Sequence, residues 1–323
     1  MSHMSATAST RSSKAPRAKT RASAVPTGPS TGAGKRFSLA PYLFIAPFMV
    51  LFLAMFVAPL VYSGYLSLFN TRLVGGTVFV GLDNYIEALG DSAFTGGVLR
   101  MVRYFFIQVP VMLAIALVAA LILDSGHLRV PKLFRVGIFV PFAVPVVVGA
   151  LMWGYLYGPQ FGPVAQLFDK VGWTAPSFLG NNLILSSIAN IAVWEFAGYN
   201  MIIFYAALRS ISPDLYEAAA MDGAGPVRVA WSIKLPLLRP AIFLTVLFSL
   251  IGTFQLFNEP QVLKALAPTT ITRDWTPNYY AFNLAFVDQR VPYAAAISFM
   301  LGFFIVVLSL LFLFAVSRRR RDQ

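Results

Sequence analysis

The sequence predicts an all-α integral membrane protein with six transmembrane helices and both termini in the cytoplasm. Three observations lead there. The 323 residues are 58% hydrophobic and only 12% charged. The apolar residues come in runs of about twenty, the length of helix that spans a bilayer's hydrocarbon core. Of the 25 Lys and Arg residues, 18 fall in the amino-terminal tail, after the second and fourth runs, and at the carboxyl end, which assigns those segments to the cytoplasm. The net charge of +12 is therefore a topology signal, not a nucleic-acid footprint. No cysteine is present, so disulfides, thiolate metal sites and cysteine nucleophiles are excluded.

Residues 1–36 are rich in Ser, Thr, Ala, Pro, Gly and basic side chains without apolar period, which predicts a disordered cytoplasmic tail. Met1–Met4 resembles a cloning remnant and is excluded from fold reasoning. Gly28–Arg36, GPSTGAGKR, approaches a phosphate-binding loop but fails: Pro29 stands where its first Gly belongs, Arg36 where Ser or Thr should meet magnesium. The chain therefore shows no ATP site of its own.

The transmembrane domain is expected over 37–317, followed by a basic cytoplasmic terminus at 318–323. Its runs are about Leu39–Leu66, Tyr104–Leu123, Val136–Tyr157, Leu183–Leu208, Ala241–Phe257 and Tyr293–Val316. The third holds Pro141, Pro145, Gly149 and Gly154, a composition suited to close packing or to a broken helix beside a pathway. A polar connection spans Asn70–Arg100, and a short amphipathic piece is expected near Val164–Val171.

The loop 211–240, ISPDLYEAAAMDGAGPVRVAWSIKLPLLRP, is a long cytoplasmic segment that is not an apolar run. Ser212 caps, Pro213 opens and Asp214 complements the dipole of a helix reaching about Asp222. Gly223 stops it in the left-handed conformation. Gly225-Pro226 starts a second short helix expected to end near Pro236. Ala218, Ala219 and Ala220 would present a surface that another backbone can approach, with Glu217 beside them.

Glu217-Ala218-Ala219, Asp222-Gly223-Ala224, Ile233, Leu235-Pro236 and Pro240 resemble the EAA loop of ABC importer transmembrane subunits, which implies the type I ABC importer permease fold. Phe79–Tyr85 and Tyr293–Ala296 are similar to segments of the sugar-type permeases in that family. Ala265-Leu266-Ala267-Pro268 departs from the Gly-Gly-Pro run often found there. The resemblance implies that Glu217, Ala218, Ala219, Asp222, Gly223 and Pro236 couple the chain to a cytoplasmic ATPase. It implies as partners a second homologous permease subunit, two ABC ATPase subunits that bind the ATP and magnesium, and an extracellular substrate-binding protein. The setting would be a bacterial or archaeal cell (inner) membrane.

Polar groups inside the runs are the substrate candidates. Glu195 lies mid-run, where an ionised carboxylate costs roughly 2.5 to 3.5 kcal/mol on insertion scales, flanked by Trp194, Tyr199 and Asn200. Gln255 and Asn258 lie three apart, hence on one face of a continuous helix. Rings beside amides and carboxylates suit a polyhydroxylated ligand, because sugar C–H faces stack and hydroxyls need directed partners. The alternative is that these groups bond to one another and hold the bundle. In the maltose-type permease, positions matching Tyr199, Gln255 and Asn258 by offset from the EAA loop contact sugar.

His127 stands alone beside Arg129, Lys132 and Arg135 and is read as a surface residue, with no metal assigned. No catalytic set is present. The expected function is half of the translocation pathway of an ATP-driven, binding-protein-dependent importer of a sugar or related carbohydrate. The alternatives are another solute (glycerol phosphate, an amino acid, a polyamine) or a stand-alone secondary transporter. No intramembrane Lys or Arg appears in the six runs to hold a phosphate.

Overall fold

The computed structural model describes residues 40–72 and 76–321. The tail 1–36, with Gly28–Arg36 in it, and the last two residues lie outside them. The chain divides at Phe52 into two compact units. In the first, α1 (Ala40–Phe52) is an apolar helix with Pro47 inside it and Phe48 stacked on Phe52. The helical run Tyr42–Leu66 is long and apolar enough to cross a membrane.

The second unit begins with a π-helical turn, Leu53–Val57, and α2 (Ala58–Leu66). An antiparallel pair follows, β1 (Phe69–Arg72) and β2 (Gly76–Phe79), where only a polar connection was expected. The Phe69 and Phe79 rings pair across it edge to face at 5.4 Å, the cross-strand packing that makes so short a hairpin worthwhile. The Phe79–Tyr85 segment then acts as a clasp into α3 (Asp83–Gly90). Gly81 takes φ +60°, a conformation cheap only for glycine. The Asn84 amide donates to the carbonyls of Ser67 and Phe69, both at 2.7 Å.

The second span is α4 (Ser92–Asp124), a helix of 33 residues that begins well before the apolar run and includes the polar stretch up to Arg103. The third is broken: α5 (Pro131–Phe139) and a 3₁₀ turn, Val140–Ala143, meet α6 (Val146–Leu156) at 97°. The cause is local, since Val144 precedes Pro145 and is pushed out of the helical region, to ψ 129°. The expected amphipathic piece is α7 (Pro163–Lys170).

The fourth span, α8 (Ile184–Arg209), packs most extensively on α4. Ala116, Ala119 and Ala120 of α4 sit against Met201, Phe204 and Leu208 of α8, and the small side chains let the backbones approach. Next come α9 (Pro213–Met221), α10 (Pro226–Val229), a π-helical turn Ala230–Lys234, and α11 (Leu235–Phe254). The second short helix was expected to stop near Pro236. It does not: the helix runs on into the fifth span, with Pro236 in the first turn of α11. The wider π turn just before it already interrupts the i→i−4 ladder that a proline would break.

The fifth span ends in α12 (Asn258–Leu263), after which α13 (Pro277–Phe286) leads into the last span, α14 (Val291–Arg321). The helix continues through the basic residues at the carboxyl end to Arg321. The chain thus has five helices long and apolar enough to span a membrane, plus the bent pair as a sixth, among the described residues.

At the end of the bundle opposite the 211–240 loop, Asp91 ties three elements together. Its Oδ1 accepts from the Ala93 amide at the start of α4, and its Oδ2 accepts from the hydroxyls of Tyr280 in α13 (2.7 Å) and Tyr293 in α14 (2.8 Å). Burial pushes the Asp91 carboxyl up, but these hydrogen bonds outweigh it and hold the group below its ordinary value. Asp91→Ala is expected to lower the unfolding midpoint in detergent at pH 7 by a few degrees, about 1 to 3 kcal/mol, because two tyrosine hydroxyls lose their acceptor. A folded-state value below the unfolded one means that this contribution is full above the unfolded value, near 3.8, and is lost as pH falls through the folded one. The gap between wild type and variant should therefore close at strongly acid pH; thermal scans at both pH values test it.

Candidate functional site

Two places on the second unit hold the candidate residues. The first is the 211–240 loop. The Ser212 hydroxyl caps α9, accepting from the Asp214 amide at 3.4 Å. The other end closes in a Schellman motif, with the Ala224 amide donating to the Ala219 carbonyl (2.9 Å) and the Gly223 amide to Ala220 (3.0 Å). Gly223 has φ +72°, the left-handed conformation that its position requires. Glu217, Ala218, Asp222 and Gly223 are exposed. Among the described residues, Glu217 has no hydrogen-bond or ion-pair partner. Ala219 is buried at 8% exposure within its own chain, so the alanine surface is narrower than read; Pro236 is half-buried inside the continuing helix. Helical geometry decides this, since Ala219 falls on the face turned inward.

The second place is a cavity of about 290 Å³. Its walls are α4 (Tyr104, Gln108, Met112), α8 (Tyr199, Asn200) and the junction of α11 with α12 (Thr253, Gln255, Asn258, Glu259). Four of the six intramembrane candidates, Tyr199, Asn200, Gln255 and Asn258, meet there. Gln255 and Asn258 do not share a helix face as expected. The helix breaks after Phe254, and both residues face the cavity from either side of the break. The break is stable because the freed carbonyls find donors: Thr276 Oγ1 to Leu256 at 3.0 Å, and Asn278 Nδ2 to Gln255 at 3.2 Å.

Trp194 and Glu195 lie outside the cavity wall. The Trp194 indole packs edge to face on Trp153 of α6 at 6.0 Å and covers Gly149. Glu195 is 3% exposed and its Oε2 has no hydrogen-bond partner among the described residues; it stands behind the wall rather than in it.

Tyr104, Gln108 and Thr253 were missed from the sequence, whereas Glu259 was legible as the acid at the outer end of the fifth run. A signal existed for part of this: Tyr104, Gln108 and Met112 repeat every four residues and therefore share one face of α4. The Gln108 and Asn200 amides both reach the Met112 sulfur, at 3.1 and 3.5 Å. A thioether is a weak acceptor, which leaves the Gln108 donor available to a stronger one; the Asn200 amide also donates to the Phe196 carbonyl at 3.0 Å. The Thr253 hydroxyl is buried at the same cavity and has no partner among the described residues. The lining holds no Lys or Arg. It offers rings, amides, a hydroxyl and a carboxylate, a set that can bind a neutral polyhydroxylated molecule without covalent chemistry.

The chain is 30% identical to the lactose transport system permease protein LacF of Rhizobium radiobacter over 86% of its length and 94% of the relative's. It is 30% identical to the arabinooligosaccharides transport system permease protein AraP of Bacillus subtilis, covering 84% and 87%. It is also 30% identical to the sn-glycerol-3-phosphate transport system permease protein UgpA of Escherichia coli, covering 88% and 96%. Among solved structures, a bacterial alginate ABC transporter in complex with its pentasaccharide-bound periplasmic protein superposes with TM-score 0.75 at 21% identity, over 88% of this chain and 94% of that one, a likeness of fold. The model of the family described as binding-protein-dependent transport system inner membrane component matches residues 89–321. With that match spanning the cavity and the 211–240 loop alike, the chain belongs to the binding-protein-dependent transport system inner membrane component family.

Proposed function

We propose that this chain forms half of the translocation pathway of an ATP-driven importer for a neutral carbohydrate. In this reading a second permease subunit supplies the other half, two ATPase subunits bind ATP and magnesium, and an external binding protein delivers the substrate. The observation that carries it is the pairing, on one chain, of an amide- and ring-lined cavity with a rigidly capped loop whose acid, Glu217, has no partner among the described residues. Glu217, Ala218, Asp222 and Gly223 are the docking surface for the ATPase; Ala219 and Pro236 support it from within.

Neutral substrates are favoured over phosphates because Glu259 lines the cavity and no cation does, so an anion would meet an uncompensated carboxylate. Tyr199, whose ring stacks on Phe142 at 4.9 Å, is a platform for a sugar's C–H face. Asn200, Gln255, Asn258 and Gln108 are its hydrogen-bonding edges.

Gentle detergent extraction followed by mass spectrometry with subunit stoichiometry tests the assembly. A second permease and two ATPase copies are expected; emergence alone or as a homo-oligomer would overturn the reading. For the cavity, Asn258→Leu combined with Gln108→Leu is expected to cut uptake into proteoliposomes about tenfold per lost hydrogen bond that the transport step needs. ATPase copurification should be unchanged. Undiminished uptake would remove these residues from the pathway.

A further inference from the structure

At the foot of α4, Asp124 occupies a place that physical chemistry disfavours. It is the last residue of a 33-residue helix, where a carboxylate faces the negative end of the helix dipole. Its side chain is only 7% exposed, so it is also withdrawn from water. What compensates is Lys234, whose Nζ lies 2.6 Å from Asp124 Oδ2 and whose side chain is 14% exposed. Lys234 is the last residue of the π-helical turn that opens α11, and such turns inside a helix frequently mark functional positions. Its ammonium also lies over the Tyr216 ring of α9, 5.2 Å from the centroid.

Lys234 is thus a node shared by three elements. On one side is α9, which carries the exposed acid Glu217. On the others are α4 and α11, which line the cavity at Gln108 and Thr253. Around the node the elements are not continuously packed: a groove of about 820 Å³ separates the ends of α4 and α8 from the loop. A loop seated over open space can slide unless something fixes it to the helices beneath. A paired charge is directional and breaks discretely, whereas apolar contacts across a groove are neither.

We infer that the Lys234–Asp124 pair, braced by Tyr216, is the strut that makes a displacement of the α9 loop move α4 and α11 together, with Lys234 and Asp124 as positioning residues for transport. This rests on the proposal that the α9 loop docks on an ATPase, and the test separates the two. In proteoliposomes holding the complete transporter and its binding protein, three quantities are measured: ATPase copies per permease, ATP hydrolysed, and substrate taken up per ATP.

Lys234→Met and Asp124→Asn are each expected to keep the ATPases bound and hydrolysing while uptake per ATP falls about tenfold. The exchanged pair, Lys234→Asp with Asp124→Lys, should recover most of that loss. A merely structural role would instead lower the yield of assembled transporter without changing the ratio. Wild-type uptake per ATP in the single variants overturns the strut, as does failure of the exchanged pair to recover in an assembled complex. Loss of the ATPases from the single variants also overturns it, since Lys234 would then serve docking itself. A wild-type preparation that carries no ATPase sinks the docking proposal and the strut with it.

Discussion

Gly198→Val is expected to eliminate most folded protein: the yield of monodisperse material extracted in mild detergent should fall more than tenfold. Gly198 sits in α8 where the broken third span crosses it. A Cβ there would lie 2.7 Å from the Ile138 carbonyl carbon and 2.8 Å from Phe139 Cα, and closer still to the Ile138 oxygen. These are backbone atoms, which cannot rotate away. The chain must separate α8 from the Pro131–Ala143 segment, and overpacking of this kind costs about 3 kcal/mol or more. Gly96→Ala is the control. Nothing lies within 4 Å of a Cβ at Gly96 in α4, and alanine favours a helix interior by about 0.5 to 1 kcal/mol. Normal yield from Gly198→Val would show that this crossing is looser than its geometry.

Gly223→Val is expected to leave the protein folded while reducing binding-protein-stimulated ATP hydrolysis and uptake by an order of magnitude. The added side chain meets open space, so packing is unaffected. The backbone is the obstacle, because φ +72° is a genuine outlier for a β-branched residue. The Schellman closure would open and α9 would lose its fixed angle to α10. Gly223→Asn, which tolerates the left-handed region, should retain most activity. Equal activity of the valine and asparagine variants, measured in the same proteoliposomes, would mean that the angle of the loop does not matter for coupling. Glu217→Ala supplies the complementary test, removing the free acid without touching the backbone.

Much of the fold was legible because it depends on composition along the chain. A run of about twenty apolar residues has nowhere to go but the bilayer, and the uneven Lys and Arg counts orient the set. The same holds for the α9 loop: the Ser212 cap, Pro213 and the Gly223 stop act within a turn of themselves, so their geometry follows from neighbours in sequence. The small hairpin at Phe69–Phe79 was not legible, since its strands are four residues each and are held by one ring pair and the Asn84 clasp.

The cavity was half legible. Tyr199, Asn200, Gln255 and Asn258 were recognisable as polar or aromatic groups in apolar runs, but treating the fifth run as one helix placed Gln255 and Asn258 on a common face. The interruption between them depends on Thr276 and Asn278, some twenty residues further on. Glu195, for which bonding within the bundle was the alternative to a pathway role, is buried and lies outside the cavity wall. Which way it faces was set by the packing of α8 on α4.

By itself, then, the sequence determined the class of the protein, its number of spans and the local shape of the 211–240 loop. Each of these follows from hydrophobic transfer, from charge, or from hydrogen bonds that close within a few residues. Only the tertiary structure decided that Tyr104 and Gln108 join Asn258 and Glu259 around one cavity, and that Lys234 finds Asp124 110 positions away. It also decided that Gly198 lies against the backbone of a broken helix. Those contacts join residues far apart in the chain, and their energies depend on helix rotation and crossing, which no local pattern of residue types encodes.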